Sequence, residues 1–593
     1  MEKRTLLAVV LSIIVISAFY LIQGIFFPQP AADSPERIST EQPAVVPPPA
    51  ASAPVPPETG LEETGEPAPV SEERVTVETD LVRVVLTNAG GDMVSYKLKE
   101  HNDQNDYVEM VLPALAESHA FTVTFGGINA QPVRSFFQVN RISPTVVEFY
   151  RDFTAPEGGR FRLTKRYEFK PAEYMFELTV SLDGGYSVQS FNFDGAAYTL
   201  GFGPQIGPKF ERLDQRYEYR RYYTFANGKR RDERVKDAPT IISSRVSWAA
   251  IAGKYFAFIA IPDSTQYELV FSTRDEPGIP SASRFYMVRP ALAGSRATDT
   301  YRFYLGPKSQ NVRAAGREVG LSIYDNGNNG FNLRDMQLAS VANTSGILAP
   351  LEWVLKWFLM LFHQVIPNYG VAIILLTLLV KLILFPITKK GSEATLRMQT
   401  LSPKIQEIQA KHKDNPAKMN AEMAELYKRE GYNPLSGCLP LVLQIPIFFA
   451  MYNLFNSHFD LRGAEFIPGW IPDLSLPESV WNFSPVRIPL LGWSNLRLLP
   501  FIYVGSQLLY GKVTQTPDQK GNAQMKMMLY AMPIIFFFIL YDVPSGLLLY
   551  WIMSNLLTMV QQLMINRVLA KKRAARAAAE PEPVIAPKKR RKR

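Results

Sequence analysis

Apolar and polar positions follow three rhythms along this chain, and each predicts a different element. From Leu6 to Phe27 the chain is continuously apolar behind Lys3 and Arg4. The run exceeds the ~7–15 residues of a signal-peptide core and suffices, at about 1.5 Å per residue, to cross a bilayer. It predicts an uncleaved span over residues 1–27. Residues 28–71, with the stretch PAVVPPPAASAPVPPETG, have too few apolar side chains to offset ordering entropy. They read as an extended Pro/Ala-rich linker. From 72 to 335 the apolar period becomes two, as in RVTVETDLVRVVLTNAGG and in FRLTKRYEFKPAEYMFELTVSLDGG. Short alternating runs broken at Gly, Asn and Pro predict a large antiparallel β-sandwich.

The last third is apolar in blocks. Residues 346–366 carry Glu352 and Lys356 one turn apart and predict an amphipathic helix lying on the membrane. Spans are expected at 367–386, 437–457, 495–511, 527–542 and 545–566. With the N-terminal one they make six. Between them lie 387–436, 458–494 and 512–526, and a tail runs over 567–593. In 387–436, Leu401, Ile405 and Ile408 recur at helical spacing, Asn415 precedes Pro416 as a cap, and Met419, Met423 and Leu426 form a second stripe. That region predicts a charged helical hairpin. Taken together, the pattern predicts a polytopic α-helical membrane protein with a large β-sandwich inserted after its first span.

Charge orients the spans. The chain has a net charge of +9. Lys389, Lys390, Arg397, Lys404 and Lys411 fall in the 387–436 connection, whereas 458–494 holds only Arg462 and Arg487 among basic residues. The positive-inside rule then places both termini and the hairpin in the cytoplasm and the β domain outside. The tail, with Lys571, Lys572, Arg573 and Lys588, Lys589, Arg590, suits an anionic partner, either RNA or a lipid surface, or serves as a plain inside anchor. The single cysteine, Cys438, forbids an intramolecular disulfide, and five scattered histidines predict no metal site. No cofactor motif stands out. The β domain shows no nucleophile motif, phosphate loop or His pair, so docking or sugar binding is expected of it rather than catalysis.

The spans carry polar groups. Thr377 and Lys381 lie one turn apart in VAIILLTLLVKLILFPITKK. Gln444, Asn453, Ser506, Gln507, Ser554, Asn555, Gln561 and Gln562 interrupt the others. Such groups face protein or water more often than lipid, and their spread over several spans predicts a shared wet cavity. Two readings stay open. With Phe385 and Pro386 ending the span, Lys381 sits about 6–8 Å from the cytoplasmic edge and can snorkel. Ser554 and Gln444 can equally hold helices together.

Several stretches resemble the YidC/Oxa/Alb family of membrane protein insertases, of the Gram-negative YidC type. They are VKLILFPIT (380–388), LSPKIQEIQAKHKD (401–414), NPLSGCLPLVLQIPIFFAMY (433–452) and MPIIFFFILYDVPSGLLLYWIMSNLLTMVQQ (532–562). The resemblance implies five core spans around a hydrophilic groove open to cytoplasm and lipid, with one positive residue in it. By motif that residue is Lys381, where bacterial members often have Arg. Thr377, Gln444, Ser554 and Asn555 map to the lining, and Tyr550 and Trp551 map near substrate contacts. The implied partners are nascent membrane proteins, the Sec translocon, the ribosome (through the tail and hairpin) and membrane lipids. The implied place is the bacterial inner membrane. A solute transporter would instead show repeated spans, and an envelope enzyme acting on sugars would need catalytic carboxylates in the β domain.

Overall fold

The computed structural model describes residues 71–579 apart from short stretches, of which 113–118, 214–217, 343–346, 433–438, 489–492 and 515–522 are the longest. The expected N-terminal span, almost all of the linker and the end of the tail lie outside the described residues.

In Arg74–Glu78 every second side chain points inward, so Val75 and Val77 are buried and Arg74, Thr76 and Glu78 are exposed. The same alternation builds two nine-stranded antiparallel sheets. One runs in the order Arg74–Glu78, Val82–Thr87, Asp92–Asp103, Ala120–Thr124, Phe191–Phe202, Ile279–Leu292, Glu268–Glu276, Thr240–Ile242, with Asp106–Glu109 paired to Asp92–Asp103. The other runs Lys229–Glu233, Arg221–Ala226, Trp248–Ala252, Phe256–Ile261, Arg296–Pro307, Met175–Asp183, Arg160–Phe169, Val146–Thr154, Gln138–Ser143. The sheets face each other through aromatic rings. Phe121 meets Phe303 at 4.5 Å and Phe176 at 5.4 Å between centroids, and Phe202 stacks on Phe258 at 4.2 Å. This is the expected sandwich.

Its core takes in the ammonium of Lys165. In RFRLTKRYEF the inward set is Phe161, Leu163, Lys165, Tyr167 and Phe169. Lys165 is fully buried and donates to Asp92 Oδ1 at 2.7 Å and to the carbonyls of Phe121 and Gly90 at 2.7 and 2.9 Å. Three acceptors match three ammonium protons, so the charge is both paired and hydrogen-bonded.

From Ala349 on, the described residues form seven α-helices: α1 (Ala349–Val365), α2 (Tyr369–Lys411), α3 (Pro416–Arg429), α4 (Leu439–Ser457), α5 (Leu499–Thr514), α6 (Ala523–Leu540) and α7 (Ser545–Ala579). α7 packs on α5, α2 and α4, α1 packs on α2 and α4, and α6 packs on α5. Leu355 and Leu359 of α1 are buried in this bundle while Trp353 and Trp357 are exposed. Among the described residues, Tyr369–Gly391 and Ser545–Val568 are long and apolar enough to cross a membrane, and Tyr530–Leu540 is a shorter apolar helix.

The helix does not break where the span is expected to end: α2 is 43 residues long and passes through Pro386 and Pro403. A proline removes one N–H bond and leaves the rest of the ladder, and packed apolar helices tolerate that. Beyond Gly391, Leu401 and Ile405 of α2 cover Leu426 of α3, and the Asn415 side chain caps α3 by accepting from the Lys418 N–H at 3.1 Å.

The two regions meet at a short turn after α4. Phe459 sets its ring against Phe256, Tyr255 and His101 of the sandwich, at 5.0, 5.3 and 5.8 Å. Arg462 donates to the Lys209 carbonyl and lies 3.7 Å from Asp103.

Candidate functional site

α2 delivers Lys381 to the middle of its apolar stretch. Ten residues separate Lys381 from Gly391, which is about 15 Å of helix rise. Lys389 and Lys390 precede Gly391 and are exposed, so the helix itself does not set the depth of Lys381, and the snorkelling reading stands beside the groove reading. On one side of Lys381 lie Thr377 and Val380, both buried. On the other lie Leu378, Leu382 and Phe385, all exposed. The lysine therefore sits at the border between bundle interior and the bundle's open flank, itself half-buried. Among the described residues it has no hydrogen-bond or ion-pair partner.

The other polar residues are placed differently from one another. Thr377 is wholly buried, and its hydroxyl turns back to the Ile373 carbonyl at 2.7 Å. Gln444 on α4 reaches Ser554 on α7, with its amide donating at 3.5 Å. Asn555, the next residue on α7, donates to Ser506 on α5 at 3.0 Å, and Ser506 donates to the Tyr503 carbonyl at 2.7 Å. Two neighbouring positions on α7 thus tie the helices on either side of it. Tyr550 is buried, with its ring 6.5 Å from Phe455. Trp551 stacks on Phe448 at 4.8 Å and tilts against Tyr503 at 5.7 Å. These contacts fix α7 against α4 and α5, and none of them involves Lys381.

Two further ties involve polar residues already marked in the spans but not assigned to the groove. Asn453 on α4 donates to Glu352 on α1 at 2.8 Å, which binds the amphipathic helix to the bundle. Ser506 is the partner of Asn555. Both are polar groups in apolar runs, so the signal was present, but which polar group meets which depends on helix rotation and register. In the tail, Lys571 is exposed on α7, Lys572 and Arg573 continue that helix, and Lys588, Lys589 and Arg590 lie outside the described residues.

Comparison with known proteins agrees with this division. Residues 74–324 match the family model described as the YidC periplasmic domain, and residues 361–573 match the one described as the 60Kd inner membrane protein. The Membrane protein insertase YidC of Treponema denticola is 43% identical over 594 residues, covering 96% of this chain and all of that protein. The Treponema pallidum protein of the same name is 38% identical over 639 residues, with the same coverage. The crystal structure of an active YidC insertase aligns with 83% of this chain and 93% of its own at 16% identity and a TM-score of 0.31. With full-length identity at this level and a separate match for each of its two regions, this chain belongs to the YidC family of membrane protein insertases.

Proposed function

We propose that this protein inserts and folds integral membrane proteins, alone or with the Sec translocon, in a bacterial inner membrane. The observation that carries the reading is an unpartnered cation midway along an apolar helix, in a chain whose relatives are named insertases. A charge in that position is costly unless it meets water or a passing substrate. In this reading six spans, the first at residues 1–27, hold both termini in the cytoplasm and the β domain in the periplasm.

The barrier to insertion is the polar segment flanking a new span, which must cross about 30 Å of hydrocarbon. A wet groove beside α2 shortens that path. Lys381 draws acidic residues of the segment into the groove by simple charge attraction. Gln444, Ser554 and Asn555 hold the groove's shape, and Thr377 forms its wall. Tyr550 is held in that wall, while Trp551 offers an aromatic face to the arriving segment. The new span then slides into lipid, where burial of its apolar surface drives the step without nucleotide or cofactor. The ribosome and anionic lipid are met through Lys571, Lys572, Arg573, Lys588, Lys589 and Arg590, with the α2–α3 hairpin alongside.

Photo-crosslinkers placed at Lys381 and Trp551 test this. Both positions should capture stalled nascent membrane proteins, and exposed Tyr186 of the β domain should not. Equal capture at all three positions would refute the groove. Ribosome co-sedimentation that survives removal of residues 571–593 would refute the tail's role.

A further inference from the structure

The connection between α4 and α5 contains a hairpin that the groove does not use. Val480 donates to the Leu496 carbonyl, Phe483 to Ser494 and Ile488 to Trp493, at 2.9, 2.9 and 2.8 Å. A two-stranded hairpin is marginal by itself, and this one is strapped down at its base. Trp493 stacks flat on Tyr541 beyond the end of α6, with centroids 3.5 Å apart. The Tyr541 hydroxyl donates to the Asn495 carbonyl, and Arg497 donates to the Tyr541 carbonyl, both at 2.7 Å. Glu478 accepts from the first N–H of α5 at 2.6 Å.

Much of what is described of the hairpin is uncovered. Val486 is 66% exposed and Trp481 65%, with Val480, Ile488 and Leu496 also exposed. An apolar surface of this kind marks an interaction site. Two observations say which. First, the surface continues the exposed flank of α5 and α6. Trp493 packs on Phe538 and Phe537, Phe537 packs on Phe501, and Phe538, Phe501, Ile534 and Ile535 are themselves exposed. Second, residues 479–496 contain one charged side chain, Arg487, and no carboxylate. Tryptophan, aliphatics and a lone arginine are the composition of a segment lying at the boundary between lipid headgroups and acyl chains.

We infer that hairpin 480–496 seats in the phospholipid headgroup layer at the β-domain end of the bundle, with Trp481 and Val486 toward the acyl chains and Arg487 on lipid phosphate. The α4 turn that carries Phe459 to the β domain fixes which end this is. The inference rests on the helices being membrane-embedded, not on the groove. A seated hairpin would hold the outer ends of α5 and α6 at a set depth, because Trp493, Tyr541 and Arg497 transmit its position to them.

The test is nitroxide accessibility in the full-length protein, in vesicles of phosphatidylethanolamine and phosphatidylglycerol. Against a Cys438→Ser background, labels go on Trp481→Cys, Val486→Cys and, as the water-exposed reference, Tyr186→Cys, where the native side chain is fully exposed. Collision with lipid-soluble oxygen relative to a water-soluble nickel chelate should be several-fold higher at 481 and 486 than at 186. A ratio equal to that at 186 overturns the proposal. So does shielding from both reagents, which would mean a protein cover. Adding Arg487→Glu should lower the ratio at 486, and an unmoved ratio would overturn the phosphate contact.

Discussion

Lys165 in the β domain and Lys381 in α2 both interrupt runs of apolar side chains. Lys165 is sealed off from solvent and has three acceptors, one of them charged, all within 2.9 Å. Lys381 is half-buried and has no partner among the described residues. A sandwich that folds in water keeps an internal charge only by satisfying it completely. The helical region leaves its charge unsatisfied at the edge of an exposed flank, which a structural role does not require. The contrast separates a lysine that serves the fold from one available to something outside it.

The largest expected effect tests the first half of that contrast. Lys165→Met leaves Asp92 buried with only His119 and Arg134 nearby, at 3.4 and 3.7 Å. Breaking such a pair should cost about 3–5 kcal/mol. Hydrogen exchange in the core strand Met175–Asp183 during urea titration of the full-length protein would show the lowered midpoint. An unchanged midpoint would mean that Lys165 is no more structural than Lys381, and the comparison would collapse.

Next in size is the joint between the regions. Phe459→Ala removes a ring from three aromatic neighbours. The cost should be about 2 kcal/mol, below the ~3–5 of a fully enclosed Phe, because Phe459 is only partly buried. Amides at 255–256 and 459–462 should exchange faster while those of Met175–Asp183 keep their protection. Acceleration in both sets would show that the regions are one cooperative unit rather than two bodies clasped at a turn.

Much of this contrast was legible in the chain. The parity of RFRLTKRYEF already puts Lys165 on the inward set, since period two admits no other face once Phe161 and Tyr167 point in. Asn415–Pro416 announced the start of α3 because a cap followed by proline is a local signal. The position of Lys381 in the chain was equally plain, but the continuity of its helix was not: α2 passes through Pro386 into the hairpin. Phe459 carried no signal at all, because a Phe in a loop has no period to place it. Nor could the sequence bring Phe191–Phe202 between Ala120–Thr124 and Ile279–Leu292, a pairing decided by long-range contacts. Local rules reach caps, parity and apolar length; partners distant in sequence are chosen by tertiary packing.

The second half of the contrast predicts a loss of activity without a loss of stability. Lys381→Ala removes no hydrogen bond or ion pair among the described residues and only part of a half-buried stem, so unfolding should move by less than about 1 kcal/mol. Insertion of substrates with acidic outer segments should fall about tenfold, the factor that ~1.4 kcal/mol of lost attraction yields. Lys381→Arg should retain the activity, since charge rather than a forked donor is required. Normal insertion of every such substrate by the Ala variant, in cells depleted of the parent protein, would end the charge-attraction reading. A destabilised but active variant would make Lys381 structural, like Lys165.

The smallest effect concerns the joint again, through pH. His101 faces Phe256, Phe459 and Tyr174, and its Nδ1 has no hydrogen-bond partner. Burial pushes its pKa down to about 4, outweighing the upward pull of Asp460, with Lys356 pushing the same way as burial. An undocked imidazole titrates near 6.5. Above that pH both forms are neutral and docking is at full strength. As pH falls from about 6.5 towards 4, undocked His101 takes up a proton that the docked form refuses, so docking weakens, by about 1.4 kcal/mol at pH 5.5. After correction for intrinsic exchange rates, amides 459–462 should lose protection about eightfold between pH 7 and pH 5.5. His101→Gln should remove that loss. Protection that does not change with pH in the parent protein would place His101 in water, and with it the face of the sandwich that Phe459 is inferred to close.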